Sequence, residues 1–550
     1  MTSDRGFSCF VIGEGSLLLQ CGEQLLGNGN DLRGVISRDP TVRQWAKENG
    51  LPWADPQSDL RAFLGVAPFD YLFSITNPTV LSTEVLRLPR KLAVNYHDAP
   101  LPRYGGTYAT SWALLGREKV HGITWHVMAE RVDQGDILKQ VQLEVEPGET
   151  ALSLNFKCYE AALEAFTELL DELATGRLSR TPQDISRRSF FPRSRRPRAA
   201  CTLSWQQSAE ELDALFRALD FGNYLNPLGM PRILLGGRFY IAQECTVLPS
   251  RSTAPAGTLT GVEPDGLKVS TSSTELVIHR LLTNAGQPLS IPELLVALEL
   301  RPGSRLPEVP PELASRITEF HQGLSRHEEF WVEQLGAYTP AVLPYGNGRR
   351  SRAGGSQRLA QEETPLTERL DLLSALPEGP AGDLLLTAFL LYLARGNTRP
   401  FDVGLSTTAL QQQLAGMEDL FSPVVPLRVP EGSSVAFGAL HHSLRGQVAR
   451  LAAHQTFPQD IFLRHPSFRR ATPPTVLAQR FPVVVQRVPS LAEHPGSPDA
   501  LLSLAIPDDG STGRWAYDPD ALTREDIQRM AGELIDLTRS LFAAPDKPSL

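Results

Sequence analysis

Along the first 175 residues the hydrophobic positions follow two rhythms in turn. Unbroken apolar runs, FSCFVIG at 7–13, LRGVIS at 32–37, FDYLFSIT at 69–76 and KLAVNYH at 91–97, read as buried strands. Between them SLLLQCGEQLLGNG, TVRQWAKENG and STEVLRLP space their apolar residues as one face of a helix does, and Gly50 stops the second. Strands apolar on both faces, alternating with helices, predict an α/β fold: an open, mostly parallel, Rossmann-like sheet covered on both sides. Such sheets bind ligands beyond the carboxyl ends of their strands, which directs attention to the residues just after 13, 37, 76 and 97. GITWHVM at 122–128 and DILKQVQLEV at 136–145 predict an antiparallel pair that turns at Asp133-Gln134-Gly135. Residues 149–176 predict a long amphipathic helix ended by Gly176.

The rhythm changes after residue 180, which sets the first domain at 1–180. Residues 181–200 are basic and interrupted by proline; we read them as a solvated connection, with a grip on RNA or phosphate as the alternative. Residues 201–296 hold a helix, SAEELDALFRAL, and short β segments between turn residues, the pattern of a small β-barrel-like subdomain. Residues 297–365 read as a helical and then Pro/Gly-rich linker, with 350–363 as a mobile loop. A second globular α/β unit is expected over 366–550, with helices at DLLLTAFLLYLARG and FGALHHSLRGQVARLAAHQ and strands at VVPLRV and FPVVVQRV. The closing PDKPSL reads as cut from a longer chain.

Composition narrows the partners. A chain of 550 residues is long enough for several cores. Its net charge of -9 gives no global field toward nucleic acid or an anionic membrane, so neither is expected as a partner. The cysteines, Cys9, Cys21, Cys158, Cys201 and Cys245, are scattered without a C-x-x-C, which fits buried core residues rather than a zinc site or disulfide framework. No secretory start and no apolar run of membrane-spanning length occurs, so a cytoplasmic location is expected. None of the 11 histidines sits in a metal-ligand pattern, and no metal is expected.

The densest polar cluster follows the fourth apolar strand: NYHDAPLPRYGGT at 95–107. Asn95 and His97 are two apart, so on a strand they face the same side. An amide can stabilise a developing oxyanion, and an imidazole can take or pass a proton near neutral pH. Acyl transfer to an amine needs both services. Asp133, on the later turn, can reach the same crevice and orient or charge the imidazole. By spacing alone, an ordinary strand end and an ordinary turn are the better readings.

NYHDAPLPRYGG followed by GITWHVMAERVDQGDIL resembles the signature of the 10-formyltetrahydrofolate-dependent formyltransferases, over roughly residues 7–290. The shared pattern is Asn-x-His with Leu-Pro and Gly after it, then Asp-x-Gly-Asp about 36 residues beyond the His. The resemblance implies 10-formyltetrahydrofolate as co-substrate, with Asn95 as the oxyanion-stabilising amide, His97 as the catalytic imidazole and Asp133 as its supporting carboxylate. It places Ser74, Ile75, Thr76 and Asn77 along the pterin pocket and brings Arg131 and Val132 to the same ring.

Gly105-Gly106 stands where the tRNA- and sugar-formylating members usually read Arg-Gly. GITWH and LDFGNYLNPLGMPRI at 219–233 are more similar to the formylation domains that open nonribosomal peptide synthetases. This implies an aminoacyl thioester on a peptidyl carrier protein as acceptor, with Tyr104, Thr107 and His126 lining its side of the site. For Tyr104 and His126, packing beneath the site is the alternative.

HEEFWVEQLGAYTPAVLP at 327–344 and the segments after 383 resemble the linker and second half of a condensation domain. The His-His-x-x-x-Asp motif of that chemistry is missing, since His441-His442 is followed by Ser-Leu-Arg-Gly-Gln. A non-catalytic half-condensation unit is therefore expected, serving as a platform toward an adenylation domain after Leu550. The expected function is formylation at the start of nonribosomal peptide synthesis, within antibiotic or other secondary metabolism. Formylation of an amino sugar nucleotide or of methionyl-tRNA is the alternative, and a non-catalytic docking module is the alternative of another class.

Overall fold

Glycine at residue 13 decides where the first sheet can close. It ends β1 (Ser8–Gly13) at φ +144, and a Cβ there would lie 1.7 Å from the carbonyl oxygen of Ile75. Only glycine lets β1 and β4 (Tyr71–Ile75) approach so closely at their carboxyl ends. The computed structural model describes residues 6–250, 252–263, 266–345, 359–368, 380–397, 399–430, 437–471, 481–491 and 500–543.

The remaining strands of this sheet are β2 (Asp31–Ile36), β3 (Trp53–Ala54), β5 (Leu92–His97), β7 (Val120–Val127) and β8 (Ile137–Glu144), while β6 (Gly105–Gly106) pairs elsewhere. The order is β3-β2-β1-β4-β5-β7-β8, parallel through β5 and then antiparallel. The strand order reverses between β1 and β4, the switch point where open sheets of this kind take their ligands. The α/β sheet expected from the pattern is thus present, with the antiparallel pair at one edge.

Helices α1 (Gly15–Gly27), α2 (Pro40–Glu48), α3 (Leu60–Leu64), α4 (Thr83–Leu86), α5 (Ala109–Leu115), α6 (Ala151–Thr175) and α7 (Ala209–Ala218) complete this part. Asp39 fixes two of them. One carboxylate oxygen caps α2 through the Thr41 amide at 2.8 Å, and the other accepts from the Gly15 amide at 3.0 Å. A capping box of Thr150 and Ser153 starts α6, and Gly176 ends it at φ +70. Its apolar face buries Phe166 against Phe73 and Trp125, whose Nε1 donates to the Ala162 carbonyl at 3.1 Å.

The segment read as a solvated connection departs from that expectation. Thr181 bridges to Ile137, and the Gln183 amide donates to the carbonyls of Asp133 and Gly135 at 3.0 and 2.7 Å. β9 (Phe190–Phe191) then pairs in parallel with β6. Arginines dominate it as the composition says, but its backbone pairs with Gly105 to Thr107 after β5 and with Ile137 of β8.

Contacts group the chain into two compact units, residues up to 195 with 207–222, and residues 196–206 with 223 onward. In the second unit β10 (Arg232–Leu235), β11 (Arg238–Val247), β12 (Leu259–Glu263), β13 (Gly266–Ser270) and β14 (Glu275–Leu282) form one antiparallel sheet in the order β10-β11-β14-β13-β12. A six-stranded mixed sheet follows, built from β15 (Ala360–Pro365), β16 (Phe401–Thr407), β17 (Val425–Val429), β18 (Val483–Val488), β19 (Leu502–Pro507) and β20 (Thr512–Tyr517). Its order is β15-β20-β19-β18-β16-β17.

Of the segment expected to be a mobile loop, 350–358 lies outside the described residues, as does PDKPSL. Residues 360–363 belong instead to β15, an edge strand on β20. AQEETP carries no apolar run to betray a strand; Trp515 on β20 donates its Nε1 to Thr364, and Arg524 forks onto Glu362 at 3.0 Å. His441 lies buried on the helix Phe437–Ala453, its Nδ1 2.9 Å from the Thr387 hydroxyl. Among the described residues no helix is long and apolar enough to cross a membrane.

Candidate active site

The pairing of β5 with β7 places the chemistry. Asn95 stands opposite His126, and His97 opposite Thr124. On the other flank of β5, Asn95 pairs with Ser74 of β4. Residues expected to serve one site from 74–77, 95–97 and 126–133 are therefore neighbours at the carboxyl end of β5.

Each polar group has a defined partner. The Nε2 of His97 donates to the Tyr104 carbonyl at 2.9 Å, which leaves Nδ1 as the nitrogen free to take a proton. That Nδ1 lies 3.8 Å from a carboxylate oxygen of Asp98. The Asn95 amide nitrogen donates to the Tyr96 carbonyl at 2.8 Å and approaches His126 Nε2 at 3.2 Å. His126 Nδ1 in turn donates to the Val127 carbonyl at 2.9 Å, so its Nε2 carries the lone pair that receives Asn95. Burial lowers the pKa of His126 to about 4, with the nearby Asp133 opposing that shift and His97 adding to it. The ring is neutral at physiological pH.

Asp133 was expected to support His97. Its carboxylate stands beside His126, with Oδ1 3.7 Å from Nε2, while Oδ2 accepts from the Gly106 amide at 2.8 Å. It makes these contacts from a left-handed turn, with φ +57 at Asp133. The two imidazoles lie 6.5 Å apart, nearly perpendicular, so all four groups still form one cluster.

The segment expected to line the pterin pocket turns sharply at the β1/β4 switch. Thr76 has φ +48 and its hydroxyl donates to the Glu14 and Ile75 carbonyls. Asn77 bonds Ser74 Oγ at 3.3 Å and both backbone groups of Thr79. Arg131 and Val132 sit exposed on the turn before Asp133, and Arg188 donates to the Val132 carbonyl at 3.4 Å.

On the expected acceptor side the three residues differ. The Tyr104 ring is packed, stacked on Phe191 at 5.4 Å, with its hydroxyl donating to Glu118 at 2.7 Å; burial and that carboxylate push its pKa up to about 12. It serves His97 through its carbonyl. His126 is 2% exposed and lies behind Asn95. Thr107 donates its amide to the Phe191 carbonyl, while its hydroxyl is buried without a hydrogen-bond partner among the described residues.

Several supporting residues escaped sequence reasoning. His121 holds the Asp98 carbonyl at 2.7 Å, and Thr124 and Gln140 hold the backbone of Ala99 and Leu101. Together they pin the loop that follows His97. The signal available was the run HGITWH, where polar side chains recur on an otherwise buried strand. Among the described residues no group of three His, Cys, Asp or Glu side chains could hold a metal.

An amide, two imidazoles and a carboxylate at the carboxyl end of β5 suit acyl transfer to an amine. Residues 69–170 match the formyl transferase family model, and residues 197–298 match the formyl transferase C-terminal domain. The chain thus carries both formyl transferase domains and is a formyltransferase. A methionyl-tRNA formyltransferase from Geobacter metallireducens is 27% identical over 320 residues, covering 55% of this chain and 99% of that protein.

Two solved structures are also similar. WlaRD, a sugar 3N-formyl transferase crystallised in the presence of dTDP and 5-N-formyl-THF, is 15% identical with a TM-score of 0.42, over 50% of this chain and 97% of its own. HypX from Aquifex aeolicus, in complex with tetrahydrofolic acid, is 14% identical with a TM-score of 0.37, over 56% of this chain and 50% of its own.

Proposed function

We propose that this formyltransferase moves the formyl group of 10-formyltetrahydrofolate onto the α-amine of an aminoacyl thioester held by a peptidyl carrier protein. The observation that carries the chemistry is the convergence of Asn95, His97, His126 and Asp133 beside residues 74–77. 10-Formyltetrahydrofolate supplies the one-carbon group, and residues 74–77 with Arg131 and Val132 would hold its ring. Holding both reactants together makes the reaction nearly unimolecular. The amine nitrogen bonds to the formyl carbon, and the carbon–N10 bond breaks. Asn95 stabilises the oxyanion between these events, and His97 Nδ1 takes the proton the amine sheds and returns it to N10.

The carrier-bound acceptor is supported by residue 105. A Cβ at Gly105 would meet its neighbours at 3.5 to 3.6 Å, ordinary contact, so the backbone does not demand glycine there. An arginine would place a cation beside Asp133, and the chain omits it. The resemblance of 327–344 and of the segments after 383 to half a condensation domain supports the same reading, with residues 366–550 as a non-catalytic platform toward an adenylation domain. The similarity to a methionyl-tRNA formyltransferase favours charged tRNA as the second reading.

Intact-mass spectrometry separates the two. Carrier protein loaded with a panel of amino acids is incubated with the chain and 10-formyltetrahydrofolate, beside methionyl-tRNA and an amino sugar nucleotide. A gain of one formyl group on a loaded carrier is expected. Formylation of tRNA or sugar alone would keep the chemistry and overturn the acceptor.

A further inference from the structure

Asn95 has only two N–H donors to give. Both are engaged within the protein, one on the Tyr96 carbonyl at 2.8 Å and one on His126 Nε2 at 3.2 Å. An amide that stabilises an oxyanion must give up or share one of them. The bond to the carbonyl is the shorter, and it also fixes which end of the amide is nitrogen. The N–H on His126 is therefore the one that can be released.

We propose that His126 is a positioning residue for formyl transfer, its Nε2 lone pair holding the Asn95 amide in the pose from which one N–H passes to the oxyanion. The proposal rests on the reading of Asn95 as the oxyanion donor. His126 is 2% exposed and meets the Asn95 amide with its Nε2, so its role is exerted through Asn95. The cross-strand register sets the pair face to face, and the Val127 carbonyl locks the ring as the Nδ1–H tautomer with Nε2 open.

Asp133 explains why the ring must also stay neutral. Its Oδ1 lies 3.7 Å from the same Nε2, so a proton there would turn the ring to the carboxylate and drop the amide. Burial opposes that proton, as does His97, the other titratable group facing the ring. A neutral imidazole is a modest acceptor, whereas a hydrogen bond to an oxyanion is about twice as strong. The N–H therefore leaves His126 when charge develops and returns when it is gone.

A double-mutant cycle tests this. His126→Leu fills the space without an acceptor and is expected to lower kcat about 10- to 100-fold, with KM for 10-formyltetrahydrofolate within about twofold. His126→Gln, whose Oε1 can receive the amide, should recover most of that loss. In Asn95→Ala, adding His126→Leu should cost nothing further.

Full kcat in His126→Leu, or losses that multiply in the double variant, would overturn the proposal. The acceptor used is whichever one the wild type formylates, so failure on carrier protein bears on the proposed function and not on this inference. Should His126→Leu fail to fold, 15N spectra of the wild-type imidazoles decide. The Nδ1–H tautomer at His126 at neutral pH is expected, and the Nε2–H tautomer would sink the idea.

Discussion

His97 and Asn95 divide the work of the proposed reaction, and each can be removed alone. Replacing either by alanine should lower kcat by about 100-fold or more, the usual cost of a lost general base or oxyanion donor. Steady-state kinetics that show near-wild-type turnover in both variants would remove them from the mechanism. These two residues were legible because spacing two apart on an apolar strand and the motif around them agree. His126 was legible only as a candidate for the acceptor side. Its partnership with Asn95 depends on the β5–β7 register, which no single segment encodes. For the same reason the sequence could place Asp133 in the crevice without showing its contacts with His126 and the Gly106 amide.

At the scale of elements, β6 and β9 join the strap at 181–191 to the catalytic loop. Gly106 is essential to that junction. It sits at φ +103, a Cβ there would lie 2.1 Å from the Phe191 carbonyl oxygen, and its amide holds Asp133. Gly106→Ala should cost about 1–3 kcal/mol of stability and also reduce kcat, because the loop and Asp133 move together. Gly105→Ala, with room for its methyl, should be close to neutral in both. Denaturant unfolding and initial rates on the pair check this, and equal effects of the two would contradict it. The sequence hid the strap because its backbone hydrogen bonds leave no mark on composition. The strands and helices of the first sheet were readable because apolar runs and helical spacing report burial directly. β15 was not, since the apolar face of that pair is supplied by β20.

At the scale of the second unit, a buried ionic cluster ties distant segments together. Asp460 accepts from Arg232 at 2.7 Å and Arg464 at 2.8 Å, and Arg464 reaches Glu328 at 2.8 Å. Arg232 also donates to the Ala200 carbonyl and Arg464 to that of Asn226. Ala200, Asn226 and Arg232, inside the stretch matching the formyl transferase C-terminal domain, are thus bound to residues 328 and 460–464 of the same compact unit. A composition shift near 297 gave no hint of this, because ion pairs between distant segments leave no local pattern.

Asp460→Ala would leave Arg232 buried without its anion and Arg464 with Glu328 alone, and should destabilise this unit by about 3–5 kcal/mol, measured by denaturant unfolding. Acid should act here too. Burial holds His321 neutral, with a pKa lowered to about 3. The unfolded chain gains a proton below the ordinary 6.5 that the folded chain refuses, so stability falls as pH drops from there. Glu328 works in a lower window. Arg464 holds its pKa near 2 against the cost of burial, so its contribution is present above about pH 4.5 and lost as pH falls toward 2. His321→Leu should flatten the decline between about pH 6.5 and pH 4.5. An unchanged slope in that variant would contradict the assignment.

The most direct test of the central claim is amine-dependent release of tetrahydrofolate from 10-formyltetrahydrofolate, compared in wild type and His97→Ala under single-turnover conditions. Rapid release with an acceptor present, slowed about 100-fold or more in the variant, is predicted for a site whose imidazole carries the proton. Release at the wild-type rate in His97→Ala would place the chemistry on other residues and contradict the account.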